Sequence, residues 1–84
     1  MNKIIFSVLD SAAGTFGSPW VVPHVGLAMR AFTDEVNSGS NNSDLVKHPE
    51  DFSLYEIGSY NDVTGIITPL DVPKLIAQAK SLKV

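Results

Sequence analysis

Val22, Val25, Met29, Phe32 and Val36 recur at intervals of three and four, which places all five on one face of an α-helix. Pro23 suits a first-turn position, where its missing N–H costs nothing, and Gly39 lies just past the far end. The spacing therefore predicts a helix over about 23–37. A chain of 84 residues can build only one core around such a helix, because neither half alone would bury enough surface to offset the entropy of ordering its backbone. One domain over residues 1–84 is expected. There is no cysteine, which removes disulfides, thiolate metal sites and a cysteine nucleophile, so stability must come from packing or from a second copy of the chain.

The segments around the helix read differently. Residues 3–9, KIIFSVL, are β-branched and aromatic, with Ile4, Phe6 and Val8 on one face and Ile5, Ser7 and Leu9 on the other, as a strand requires. Residues 10–19, DSAAGTFGSP, have loop composition, and Phe16 is the one bulky member. Residues 37–44, NSGSNNSD, contain nothing apolar and are expected to form a mobile surface loop. In HPEDF, Pro49 fixes its own φ and pushes His48 toward extended backbone, while Asp51 can cap the turn, so the segment aims a strand over 52–59. Asn61 to Gly65 has hairpin chemistry, and 65–68 returns as a second strand. Val72, Leu75, Ile76, Ala79 and Leu82 mark a further helical stripe, with Asp71 and Pro73 as start signals, which predicts a C-terminal helix over 71–84. The expected fold class is α+β, in the order strand, helix, hairpin, helix. Its three-stranded, mainly antiparallel sheet is covered on one face by the 23–37 helix.

Composition narrows the function classes. No apolar run approaches the length of a membrane span, and Ser7 and Asp10 interrupt the N-terminal apolar stretch too early for an export signal. The net charge of −3 argues against a binder recognised by basicity alone. That charge is unevenly placed: residues 1–72 carry three cations against nine acids, whereas 73–84 carry Lys74, Lys80 and Lys83 and no acid. Ser11, His48 and Asp51 supply the residue types of a hydrolytic triad, but no nucleophile-elbow motif surrounds Ser11. His24 and His48 are too isolated for a metal site, apart from Glu50 and Asp51 beside His48. Gly14 and Gly17 lack the lysine and serine of a phosphate-cradling loop. No catalytic residue, metal or cofactor is expected. Phe16, Trp20, Tyr55 and Tyr60 are stacking candidates for unpaired bases, with Arg30 and the C-terminal lysines for phosphate; core or dimer packing is the competing use of the same rings.

Taken together, FSVLDSAAGTFGSPW, GLAMRAFTDEVN, KHPEDFSLYEIGSY and DVTGIIT resemble a small non-structural protein family of microviruses, single-stranded DNA phages, and within it the gokushovirus-like group. The resemblance covers about residues 3–68, and its most specific stretches are Met29 to Phe32 and Lys47 to Phe52. It implies a non-virion role in the cytoplasm of the infected host: a DNA-binding protein associated with the shift from duplex replication to single-strand genome synthesis. It brings no catalytic residues. Two departures are the Ser/Asn-rich loop at 37–44 and the segment 71–84 outside the matched part, so a role for its lysines rests on their charge. The expectation is a homodimeric single-stranded DNA binder without enzymatic activity. It would use Arg30, Lys74, Lys80 and Lys83 for phosphate and Trp20, Tyr55 and Tyr60 for stacking. Glu50, Asp51, Glu56 and Asp62 near the hairpin would repel a phosphate path, which keeps a second expectation open: an acidic adaptor that binds a viral or host replication protein and never touches DNA.

Overall fold

A computed structural model describes residues 1–39 and 43–84. In chain order the elements are β1 (Asn2–Asp10), β2 (Thr15–Phe16), β3 (Trp20–Val22), α1 (Val25–Val36), α2 (Asp44–Lys47), a 3-10 turn (Pro49–Asp51), β4 (Phe52–Asn61), β5 (Ile67–Gln78) and α3 (Ala79–Leu82). The fold is α+β, and every strand pairing is antiparallel. β1 is central: β4 pairs along one side of it, while β2 and β3 share the other side, and β5 pairs with the outer side of β4.

The alternation of β1 explains why the helix sits where it does. Phe6 projects to the side on which Ala28, Phe32 and Val36 of α1 gather with Leu54 and Ala79, and Ile4, Val8, Trp20, Val22, Phe52, Ile76 and Leu82 pack around them. Phe6, Leu54 and Val36 are fully buried, each contributing about 1.5–3 kcal/mol relative to exposure. The end of α1 is completed by distant residues. Asn37 Nδ2 donates to Thr33 O at 3.1 Å and to Leu82 O at 3.0 Å, Val84 N donates to Asn37 Oδ1 at 3.0 Å, and Lys83 Nζ donates to Val36 O at 3.2 Å. The Lys83 ammonium thus satisfies and electrostatically complements the Val36 carbonyl at the helix end, while Asn37 ties that end to the C-terminal residues.

Four expectations are corrected. The sheet has five strands rather than three, because the 10–19 segment turns back on β1 as β2 and Trp20 to Val22 pair with Phe6 to Ile4 as β3. The turn is held locally: Ala12 N and Ala13 N donate to Asp10 Oδ1 at 3.0 and 3.2 Å, and Gly17 N donates to Val8 O at 2.9 Å. The helix begins two residues late, since Val22 is in a strand and His24, with φ −156° and ψ 163°, is extended. The C-terminal helix over 71–84 is instead β5 followed by a single helical turn. Its apolar spacing suits a helix, but the neighbouring β4 offers a ladder, and Pro73 both lacks an N–H and biases Val72 toward extended backbone. The second hairpin strand therefore runs to Gln78 rather than ending at 68. Of the loop expected over 37–44, residues 40–42 lie outside the described residues, and Asp44 already opens α2.

The hairpin chemistry is as the sequence indicates. Asn61 Oδ1 accepts from Val63 N at 2.9 Å and Thr64 N at 3.2 Å, and Gly65 takes φ 76°, a left-handed value that glycine adopts without strain. Between this turn and the core, β4 and β5 form an arm whose β5 side is exposed at every residue from 67 to 75.

Candidate functional site

β1 turns the side chains of Lys3, Ile5, Ser7 and Leu9 away from α1, and the cross-strand register shows what joins them there. Ser7 lies opposite Tyr55, Leu9 opposite Phe16, Ile5 opposite Val21, and Lys3 opposite Tyr60. Tyr55 and Tyr60 are five residues apart, an odd spacing that would send them to opposite faces of a regular strand. A bulge resolves this. Ile5 pairs with Gly58 and Phe6 with Glu56, so Ile57 is an extra residue in β4, and the parity beyond it is reversed. Both tyrosines consequently belong to the face opposite the helix.

Phe16 and Tyr55 meet there edge to face, with ring centroids 5.5 Å apart and planes at 78°. Ser7, almost fully buried between the strands, donates from Oγ to Gly17 O at 2.8 Å, which fixes the short β2 hairpin that carries Phe16. Phe16 remains 44% exposed, and Val21 and Leu75, the latter opposite Tyr55, are similarly open. The result is a sheet face with no helix over it, on which Ile5 is buried and Tyr55 and Tyr60 are half-buried, with the ring pair at one end, the third ring four β1 positions away and Lys3 beside it. Lys3 Nζ stands 3.7 Å from Asp62 Oδ2, and Asp62 also accepts from the N-terminal ammonium at 3.0 Å. That hydrogen bond, more than the charges of the ammonium and Lys3, holds the Asp62 carboxyl below its ordinary value.

The expected site residues divide between two sides of the sheet. Tyr55 and Tyr60 share the open face. Trp20 pairs with Phe6 on the helix side, their ring centroids 6.2 Å apart, and packs against the core. Arg30 is exposed on α1, Lys80 is exposed on α3, and Lys83 is engaged with the end of α1. Lys74 lies on β5 opposite Glu56. Arg30, Lys80 and Lys83 therefore belong to the helix layer. Lys3 is the charged member of the open face that sequence reasoning missed, and the period-2 alternation of β1 could have found it; Phe16 is a stacking candidate by sequence, but its pairing with Leu9, which sets its face, is not a local signal.

A second cluster surrounds the 3-10 turn. His48 Nδ1 is 3.7 Å from Glu50 Oε1, and ligand atoms of His48, Glu50 and Asp51 lie within 4.8 Å of one another; His48 and Asp51 also line an open cleft of about 330 Å³ with Asp10, Ala12, Asp44 and Phe52. Ser11 Oγ donates to Asp51 O at 3.0 Å, so its proton is directed at a backbone carbonyl rather than at His48. The amides of Gly14 and Gly17 donate to Asp10 O and Val8 O, which makes the glycine-rich segment a closed hairpin turn instead of an anion cradle. No helix among the described residues is long and apolar enough to cross a membrane.

No curated protein and no solved structure gives a significant match to the chain. A family model described as Phage ORF5 protein matches residues 3–82, which takes in the 71–82 segment that the sequence resemblance left out. With nearly the whole chain aligned, from the first residues of β1 to the end of α3, this protein belongs to the Phage ORF5 protein family.

Proposed function

We propose that this protein is a non-structural protein of a microvirus-type phage that binds single-stranded DNA in the host cytoplasm, outside the virion, and has no catalytic step of its own. The observation that carries the reading is the bulge at Ile57, which puts Tyr55 and Tyr60 on one open sheet face with Phe16. Sheet faces bearing exposed rings suit unpaired bases, because each base has a π-face to stack and each stacked base contributes about 1–3 kcal/mol. Lys3 is the cation that lies on this face in register, whereas Lys74 lies opposite Glu56, which itself pairs with Phe6 on the helix side. Arg30 and Lys80 would meet only a strand that wraps to the helix layer. By holding single strands, the protein would withdraw template from second-strand synthesis, which favours production of single-stranded genomes by mass action.

Fluorescence anisotropy with labelled single-stranded and duplex oligonucleotides at two salt concentrations tests this. The expected result is salt-sensitive binding that prefers single strands. Tyr55→Ala and Tyr60→Ala should each weaken it by roughly 5- to 100-fold without changing the salt slope, whereas Lys3→Ala should lower the slope. Absence of binding at low salt would overturn the proposal and leave the adaptor reading, which the net charge of −3 and the exposed apolar arm favour.

A further inference from the structure

Residues 62–75 are all exposed, the longest such run among the described residues, and they include Val63, Ile66, Ile67, Leu70, Val72 and Leu75. Ile66, Ile67 and Val72 are 60%, 62% and 73% exposed. The segment is also where the ladder breaks: Gly58 pairs with Pro69 and Glu56 with Lys74, so Leu70, Asp71, Val72 and Pro73 stand opposite Ile57 alone and form a wide bulge on the sheet edge. We propose that this bulged edge of β5 is the surface through which a second copy of the chain docks. The two copies would be related by a two-fold axis between Val72 and Pro73, with Asp71 of one copy facing Lys74 of the other.

Three observations select this occupant. Pro69 and Pro73 have no N–H, and the bulge displaces the backbone, so the edge is unsuited to adding a continuous strand from an unrelated chain. Contact must then be made by side chains, and a closed pair is the arrangement that covers the apolar knob on both partners at once. Charge supplies the register. Asp71 and Lys74 are the only charged residues between Val63 and Ala79, and neither forms an ion pair within 4.0 Å with a described residue. An antiparallel approach about the stated axis forms the Asp71–Lys74 pair twice, and it joins two bodies of net charge −3 through a stretch whose own charges cancel. A stable pair needs about 800 Å² per partner, a small share of the 5247 Å² surface and one that a 14-residue exposed arm is suited to supply.

The test needs no DNA and is independent of the nucleic-acid reading. Sedimentation equilibrium of the full chain over a concentration series should show a monomer–dimer equilibrium. Val72→Glu, at an exposed position, should weaken dimerisation by at least about tenfold with an unchanged circular dichroism spectrum. Asp71→Lys and Lys74→Asp should each weaken it, and the double reversal should restore it. A monomer at every concentration, or a dimer indifferent to Val72→Glu, overturns the proposal, the latter outcome moving the second copy to the open sheet face. A double reversal that does not restore association overturns the register on which the proposal stands.

Discussion

Gly58 shows how much one missing methyl group can decide. It is buried in β4 just past the extra residue Ile57, where β5 crosses so closely that a Cβ would lie 2.7 Å from Thr68 O and 3.2 Å from Pro69 Cα. Both obstacles are backbone, so no rotamer change relieves them. Gly58→Ala is expected to destabilise the fold by about 1–3 kcal/mol, read as a lower urea midpoint, because the hairpin must open to admit the methyl group. Ser7 makes the converse point. A hydroxyl almost fully buried would be costly without a partner; donating to Gly17 O, it fastens the turn that presents Phe16.

Among the elements, β4 shapes the site most, because its bulge sets which side chains share a face. Deleting Ile57 should restore a regular strand in which Tyr55 and Tyr60, now four residues apart, still lie opposite Ser7 and Lys3 on the open face. The expected outcome is single-stranded DNA binding that is retained and that still falls when Tyr60→Ala is added, measured by the same anisotropy titrations in variants whose fold is verified by circular dichroism. This also marks the boundary of what was legible in the sequence. β1, α1 and the Asn61 to Gly65 turn follow from periodicity and turn chemistry that act within a few residues, and the structure bears them out with small shifts in their ends. The C-terminal segment misleads because the spacing of Val72, Leu75, Ile76, Ala79 and Leu82 satisfies a helix while only Ile76, Ala79 and Leu82 are used by the core. Whether a segment joins a ladder depends on a neighbour far away in sequence. The bulge and the partition of Trp20 from Tyr55 and Tyr60 are likewise properties of pairing, invisible to local pattern.

At the scale of the whole molecule, the start of β1 is tied to the hairpin tip through Asp62, which takes the N-terminal ammonium at 3.0 Å and Lys3 at 3.7 Å. Because the Asp62 pKa is lowered by folding, the contact contributes stability above the unfolded-state pKa and loses it as pH falls through the folded one. In an NMR pH titration, the Asp62 carboxyl should therefore titrate below its ordinary value, and its midpoint should rise toward that value when Lys3→Ala removes one of the nearby charges. The arm that ends at this contact makes the body 40 × 23 × 20 Å, with a radius of gyration of 13.2 Å against about 12 Å for a compact chain of this length. Such a shape drags more solvent than a sphere of 9.0 kDa. Even the single chain will therefore elute early from a sizing column and tumble slowly, so apparent hydrodynamic size overstates its mass, and only a shape-independent weighing can count how many chains travel together.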